Sequence, residues 1–371
     1  MAITDPNSVL ILGAGVSAPF GLPLGGALID EIAEALTAER GRIYTKEDWG
    51  GSQARSNYMY SARDLEAFFK APIYGAMGRK HLQPDGRELN WAEVDKDANR
   101  LVALRDLLRD QTSETIDDFI VENSGYADLT KIAIAALLLR KCYGLQNNDG
   151  IKSWGPNKFA AREYSGERNW IHLLINIIRH GIRKKEITPD RKITIITFNY
   201  DRVLEFVLEK QFSNTEAKHP HYSTFVDILH VHGCFSPIED TPRDFAQMTL
   251  ECASGIHVVN EPNIPLHIQE IREKARAAIA VADEIYSVGF SFAGPNCKLI
   301  GLTDIDAPRA PRKKFVRFCN YNGNVGVKRS AESLAGDEPL RIVVEEAAGT
   351  VERVLSASDW LKSGHLGELP G

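Results

Sequence analysis

Cysteine is scarce in this chain of 371 residues: there are five, an odd number, and no two of them form a Cys-x-x-Cys pair. Zinc sites built on cysteine need such close pairs, and a disulfide framework needs an even set. We therefore expect neither a structural metal nor disulfides. The cysteines are interpreted as reduced thiols that pack as small hydrophobic side chains.

Long apolar runs and a basic leader are also missing. The longest unbroken apolar run covers the eight residues from Ile132 to Leu139, whereas a transmembrane helix needs about 18 or more. The chain begins MAITDPNS, without the basic segment that opens a signal peptide. These absences predict a cytoplasmic protein that does not associate with membranes.

Positive charge is not in excess: 44 Lys and Arg face 50 Asp and Glu, for a net charge of −6. This argues against a nucleic-acid footprint over the whole surface. Two local basic clusters leave two interpretations open, a solvated helix end and loop or a docking face for a partner protein or a nucleic acid. The clusters are Arg179, Arg183, Lys184, Lys185, Arg191 and Lys192, and Arg309, Arg312, Lys313 and Lys314.

Short β-branched and apolar segments alternate with helical patterns and predict the fold class. Hydrophobic residues make up 43% of the chain and charged residues 25%, which is typical of globular domains. Alternation of strands and helices predicts an α/β fold with a Rossmann-like, doubly wound parallel sheet. The predicted strands are Ser8 to Leu12, Ile193 to Thr197, Val226 to Val231, Ile285 to Phe290, Phe315 to Cys319 and Leu340 to Val344.

Helical and loop patterns without strands fill residues 41–189 and predict a large α-helical insertion. The domain boundaries follow: residues 1–40 and 190–347 form the Rossmann domain, 41–189 the insertion and 348–371 a C-terminal tail. Residues 236–264 contain three prolines and mixed polarity, which indicates a mobile loop or a lid.

The first motif, Gly13-Ala14-Gly15-Val16-Ser17-Ala18, directly follows the first predicted strand. It fits the looser dinucleotide fingerprint GxGxxA, in which glycines let the backbone approach a pyrophosphate. A tight turn between strand and helix is the alternative. The acidic residues about 20 positions on, Glu31 and Glu34, fall in the middle of a predicted helix, which argues against a classical dehydrogenase.

The second motif, Thr197-Phe198-Asn199-Tyr200-Asp201, ends the second strand. An asparagine at this edge offers a donor and an acceptor for a ribose hydroxyl or a water. The alternative is a helix cap, because Asp201 precedes a helical pattern.

The third motif, His230-Val231-His232-Gly233, ends the third strand. Alternation along a strand would place both histidines on one side, and one of them would suit a general base near neutral pH. A histidine packed in the core is the alternative for either one.

Two further strands end in polar turns, Ser287-Val288-Gly289-Phe290-Ser291-Phe292 and Phe318-Cys319-Asn320-Tyr321-Asn322. A simple turn explains each motif taken alone. The order of all five motifs along the chain is more specific than any one of them.

In that order the motifs resemble the sirtuin (SIR2-like) superfamily, specifically its NAD-hydrolysing domains in bacterial anti-phage defence systems. The resemblance covers roughly residues 8–35 and 190–325 and includes Gly21-Leu22-Pro23 after the first turn. In the helical stretch, the segment SETIDDFI from Ser113 to Ile120 is similar to an Ile-Asp-x-Phe element of the defence branch.

The resemblance implies NAD as the substrate and a role for each motif. Asn199 would position the nicotinamide ribose or the attacking water, Asp201 would support that site, and His232 would be the general base. The remaining residues would contact the rest of the dinucleotide: Gly13, Ala14, Gly15 and Ser17 the pyrophosphate, Gly289 and Ser291 the phosphate or adenosine side, and Asn320 the adenine ribose. His230 receives no role.

The chain departs from protein-deacetylating sirtuins in two respects. It lacks their four-cysteine zinc module, and Leu24-Gly25-Gly26 stands where they carry Asp-Phe-Arg. An NAD pocket without an acyl-lysine site predicts hydrolysis of NAD to nicotinamide and ADP-ribose as the effector step of abortive infection. Two alternatives stay open: a protein deacylase or ADP-ribosyltransferase, and a non-catalytic module that senses NAD or ADP-ribose.

The resemblance also implies partners. A stand-alone SIR2-like subunit of this size resembles those that work with a HerA-like ATPase. We therefore expect a homo-oligomer with a separate ATPase partner.

Overall fold

The computed structural model describes residues 7–43, 71–82, 89–113, 115–142, 170–212, 220–236, 244–304, 314–320, 324–335 and 342–348. Contacts between Cα atoms divide the chain into two compact units. Unit 1 comprises residues 1–19, 162–233 and 262–371, and unit 2 comprises residues 20–161 and 234–261.

The described residues form six strands and eleven α-helices. The strands are β1 (Ser8–Leu12), β2 (Ile193–Thr197), β3 (Val226–His230), β4 (Glu284–Val288), β5 (Lys314–Asn320) and β6 (Ile342–Ala348). The helices are α1 (Gly25–Ile43), α2 (Pro72–Lys80), α3 (Trp91–Asp110), α4 (Ile116–Glu122), α5 (Ala127–Cys142), α6 (Trp170–Arg183), α7 (Val203–Phe212), α8 (Phe245–Ser254), α9 (Leu266–Val281), α10 (Gly294–Leu299) and α11 (Val325–Glu332).

Unit 1 is built on the sheet. The strands lie in the order β3-β2-β1-β4-β5-β6, and each adjacent pair is parallel. This is the strand order of Rossmann folds. Every residue of β1 and of β4 is buried, as expected for central strands of a parallel sheet. The predicted α/β class with a parallel, Rossmann-like sheet is confirmed.

Unit 2 contains the helices α1 to α5 and α8. Every residue from Ile132 to Leu139 in α5 is buried, and α2 and α8 both pack against this helix. The eight-residue apolar run of the sequence is therefore the centre of a helical core. The Ile116 to Ile120 part of the SETIDDFI segment lies in α4, where the Thr115 hydroxyl caps the helix by accepting from the Asp118 N–H at 3.1 Å.

The two units divide the chain differently from the predicted domains. Residues 20–40 and 234–261 group with unit 2, although both segments were assigned to the Rossmann domain. The loop predicted over 236–264 contains α8, which begins where the Asp244 carboxylate accepts from the N–H groups of Ala246 and Gln247. The loop interpretation is therefore wrong for Phe245–Ser254, and the lid interpretation stays a prediction. Residues 143–169 of the predicted insertion and the tail beyond Ala348 lie outside the described residues.

One member of the second basic cluster is not a surface charge. Lys314 is buried, and its Nζ donates to the carbonyls of Ile279, Ala280 and Ala282 at 3.0, 2.8 and 2.7 Å. A cation there compensates the negative end of the α9 dipole, while burial lowers the pKa of Lys314. This lysine therefore caps the C-terminus of α9 and does not belong to a docking face. The other three members lie outside the described residues.

None of the helices in the described ranges has both the length and the apolar character that a membrane crossing requires.

Candidate active site

The loops after β1 and β4 meet where the strand order reverses, the point at which Rossmann-type sheets bind their ligands. The Gly13 N–H donates to the Val288 carbonyl at 3.0 Å, and the Gly15 N–H donates to the Gly289 carbonyl at 3.1 Å. A Cβ on Gly13 would lie 2.4 Å from the Gly289 oxygen, and one on Gly289 would lie 2.5 Å from the Val16 nitrogen. The glycines thus allow two loops to touch at this edge.

These contacts occupy most of the N–H groups assigned to the pyrophosphate. The N–H groups of Gly13 and Gly15 bind the β4 loop, and the Ser17 N–H donates to the Ala14 carbonyl at 3.1 Å. Ala14 is exposed, whereas Gly13 and Ser17 are buried. The tight-turn interpretation accounts for both glycines in this structure, and the backbone at Ala14 is the part of the loop open to a ligand.

Ser17 links the first and second motifs. Its hydroxyl donates to the Asp201 carboxylate at 2.9 Å and accepts from the Asn199 amide nitrogen, also at 2.9 Å. All three side chains are buried. The structure therefore brings together, at the carboxyl end of β2, three residues that the sequence placed in one site from 184 positions apart.

The direction of these hydrogen bonds fixes the orientation of the Asn199 amide. An ionised carboxylate only accepts, so the Ser17 proton points to Asp201, and the hydroxyl oxygen must accept from the amide NH₂. The Asn199 Oδ1 atom therefore faces away from Ser17. It is buried and has no hydrogen-bond partner among the described residues. A buried acceptor in this state is complementary to a ligand O–H or N–H.

The Asp201 carboxylate accepts hydrogen bonds from two neighbouring groups. Its second carboxylate oxygen accepts from the Val203 N–H at 3.1 Å, at the start of α7. The helix-cap interpretation is therefore correct for Asp201, and it coexists with the Ser17 contact. Burial raises the pKa of Asp201, while the hydrogen bonds from Val203 and Ser17 oppose that shift.

His232 follows β3 and is buried beside the same segment. Its ring lies edge-on to Phe198, with centroids 5.2 Å apart, and 6.2 Å from the Tyr200 ring. Phe198 in turn stacks on Phe290 of the β4 loop at 4.7 Å. The predicted base therefore contacts both residues that flank Asn199, and aromatic packing fixes its ring.

His230 contacts other groups than His232 does. Strand β3 ends at His230, so strand alternation does not extend to His232. His230 is buried, with Nδ1 2.9 Å from the Asn199 carbonyl oxygen and Nε2 2.7 Å from a Glu205 carboxylate oxygen.

Two residues that hold these segments were missed at the sequence level. Glu205 lies on α7 and is buried, and Arg272 on α9 donates from Nε to the Val231 carbonyl at 2.9 Å. The available signal for Glu205 was an acid within the otherwise apolar stretch Val203 to Leu208. Nothing in the local pattern marked Arg272, since arginines are common on helix surfaces.

The remaining predicted contacts differ in their surroundings. Ser291 is exposed in the loop after β4. Asn320 ends β5, and its Nδ2 donates to the Asn324 carbonyl at 3.1 Å and to Glu346 at 3.0 Å. Its Oδ1 accepts from the Asn324 N–H at 2.9 Å. The Asn320 amide thus closes a turn, while Tyr321 and Asn322 of the same motif lie outside the described residues.

Across the described ranges, no group of three or more His, Cys, Asp or Glu side chains is arranged to hold a metal ion.

No protein-family model and no curated protein matches the chain.

Proposed function

We propose that the chain is an NAD⁺ hydrolase of the sirtuin-like type, which cleaves NAD⁺ to nicotinamide and ADP-ribose. The observation that carries the proposal is the buried Asn199 Oδ1, an acceptor without a partner in the described part of the chain, oriented by Ser17 and Asp201. It lies at the sheet edge where Rossmann-type folds bind nucleotides. A ribose hydroxyl or a water molecule is the donor that it fits.

The reaction breaks the bond between the ribose C1′ and the nicotinamide nitrogen. The nicotinamide leaves with the bonding electron pair as a neutral molecule, so no strong general acid is required. Water adds to C1′ and releases one proton. The balance is NAD⁺ plus water giving nicotinamide, ADP-ribose and H⁺. As in other glycosidic cleavages, we expect a transition state with oxocarbenium character.

Each residue has a defined task in this scheme. Asn199 holds the ribose or the water through its acceptor, and His232 takes the proton from the attacking water. Ser17 and Asp201 hold the amide of Asn199 in the orientation that presents Oδ1. Because Asp201 must be ionised for this orientation and burial raises its pKa, its protonation at low pH would release the amide.

Incubation of the purified chain with NAD⁺, followed by chromatography of the products, tests the proposal. Equal amounts of nicotinamide and ADP-ribose support it. A parallel reaction with an acylated peptide separates hydrolysis from deacylation and ADP-ribosyl transfer. Binding of ADP-ribose without any turnover would instead support a sensing module and overturn the hydrolase.

The defence role and the partner are part of the same proposal. An unrestrained NAD⁺ hydrolase would deplete its own host, so activity must depend on a signal or a partner that prefers the active form. The resemblance favours a homo-oligomer that works with a HerA-like ATPase. Faster NAD⁺ loss by the chain with such an ATPase than by the chain alone supports this, and equal fast rates contradict it.

A further inference from the structure

Asn199 is held at its backbone as well as at its side chain. Its N–H donates to the Thr197 hydroxyl oxygen at 3.1 Å, and its carbonyl oxygen lies 2.9 Å from His230 Nδ1. The other ring nitrogen of His230 lies 2.7 Å from Glu205. A chain of buried groups therefore runs from α7 through the end of β3 to the backbone of the candidate catalytic amide.

The partners of His230 define its charge. A carbonyl oxygen only accepts, so Nδ1 carries a proton, and an ionised Glu205 only accepts, so Nε2 carries one too. Glu205 also accepts from Arg202 Nε at 3.1 Å, which favours the ionised carboxylate. His230 is therefore an imidazolium whose charge Glu205 balances.

The surrounding charges agree with this assignment. Burial disfavours the imidazolium, but the charge and hydrogen bond of Glu205 outweigh it and raise the pKa of His230, while Arg202 opposes the rise. Burial likewise opposes ionisation of Glu205, but His230 and Arg202 lower its pKa overall. The other titratable groups near the pair are Asp201 and Tyr222, whose pKa values are both raised mainly by burial.

We propose that His230 and Glu205 form a positioning pair, in which a buried imidazolium fixes the carbonyl of Asn199 and so aims its side-chain acceptor at the ribose. This inference rests on the proposed function for its catalytic consequence. Neither residue touches the substrate; both act through Asn199. Displacing a group in an active site by about 1 Å costs up to about 100-fold in rate, so the backbone contact has a measurable effect.

Two substitutions distinguish the effect of the hydrogen bond from His230 to Asn199 from the effect of the charge on the His230 ring. His230→Ala removes the donor to Asn199 and should lower kcat by about 10- to 100-fold with KM for NAD⁺ unchanged. Glu205→Gln keeps the shape of the pair, because the amide NH₂ can donate to a neutral Nε2 while Nδ1–H still binds Asn199. We expect a loss of less than about 10-fold for it. His267→Ala and Glu209→Gln, both at exposed residues of unit 1, are the matched controls and should retain the parent rate.

A spectroscopic readout tests the pair independently of turnover. In protein labelled with ¹⁵N-histidine, the His230 ring signals, assigned by their loss in His230→Ala, should show two protonated nitrogens at pH 6.5, the ordinary histidine pKa. In Glu205→Gln they should show one. If His230→Ala does not fold, the histidine ring signals that lose one proton in Glu205→Gln identify His230 and decide its charge in the parent.

Four outcomes are distinguishable. A parent chain that never cleaves NAD⁺ contradicts the proposed function, and the ring signals then test the pair alone. A predominantly neutral His230 in the parent at pH 6.5 overturns the pair. An active parent with unchanged kcat in a folded His230→Ala overturns the positioning role. A fall in kcat together with two protonated nitrogens in the parent supports both.

Discussion

The carboxyl edge of the sheet has two halves, the segments after β2 and β3 and the segment after β5. The buried polar side chains of these halves differ in their hydrogen bonding. At the end of β2, Asn199 keeps a buried acceptor with no partner among the described residues. At the end of β5, Asn320 uses its amide nitrogen and its amide oxygen to close a turn and to bind Glu346. Both are buried asparagines at the carboxyl ends of parallel strands, so their position in the sequence pattern does not distinguish them.

The two asparagines differ in whether neighbouring groups satisfy the hydrogen-bonding capacity of the side-chain amide oxygen. Folding normally satisfies buried polar atoms, and one that stays unsatisfied costs about 1–3 kcal/mol. At Asn320 the turn supplies the partners. At Asn199 the surrounding groups, Ser17 and His230, bind the amide nitrogen and the carbonyl and leave Oδ1 for a ligand. The β2–β3 half therefore keeps a buried acceptor that a ligand could satisfy, whereas the β5 half is a structural turn.

The largest expected effect is at His232, on the β2–β3 half. His232→Ala should lower NAD⁺ cleavage by about 10²- to 10⁴-fold, because general-base catalysis contributes that much. His230→Ala should cost less, since His230 acts only through Asn199. Steady-state rates of both purified variants, with circular dichroism to verify folding, make the comparison. An inactive His230→Ala beside a fully active His232→Ala would reverse the two assignments.

The second expected effect compares the two asparagines directly. Asn199→Ala should reduce turnover by about 10²- to 10³-fold, as removal of a preorganised polar group does, without lowering the melting temperature. Asn320→Ala should instead lower stability by about 1–3 kcal/mol, because it leaves the Asn324 groups unpaired. Turnover and thermal melting are measured on both variants. Similar rates for the two would contradict the division of the sheet edge.

Much of this site was predictable because it depends on local patterns. Buried β-branched segments defined the strands to within a few residues, and parallel strands bring their carboxyl ends to one edge. Asn199, Asp201 and Ser17 follow from that rule. The Glu205–His230 pair does not, because it joins α7 to β3 through the tertiary fold, and a buried charge pair leaves no periodic signal in sequence.

Tertiary contacts also account for the two wrong predictions elsewhere, at the segment 236–264 and at Lys314. The segment 236–264 has the composition of a loop, yet α8 forms because its apolar residues, such as Ala246, Met248 and Cys252, are buried within unit 2. Tertiary burial overrides weak local propensity. Lys314 was grouped with surface cations because its role depends on the end of α9, more than 30 residues earlier.

A third prediction concerns the loop contact that borders the site. Gly289→Ala should destabilise unit 1 by about 3 kcal/mol or more, since φ of +65° strains an alanine and its Cβ would lie 2.5 Å from the Val16 nitrogen. Gly294→Ala, with nothing within 4 Å of its Cβ, is the control and should shift stability by less than about 0.5 kcal/mol. Chemical denaturation measures both. Equal stabilities would show that the close approach of the two loops is not needed.

The smallest expected effect is a pH dependence of stability in the β2–β3 half. The raised pKa of His230 adds stability that is complete below its ordinary value of 6.5 and is lost as the pH rises through the shifted value. The lowered pKa of Glu205 adds stability that is complete above its ordinary value of 4.5 and is lost as the pH falls through the shifted value.

Glu205→Gln should therefore be less stable than the parent by about 1–3 kcal/mol between pH 4.5 and 6.5. This difference in the free energy of unfolding should become smaller once the pH exceeds the raised pKa of His230. Melting curves in a series of buffers, from inside that window to alkaline pH, measure this difference, with Glu209→Gln on the same helix as control. A difference that does not change across the series would contradict the ion pair between Glu205 and His230.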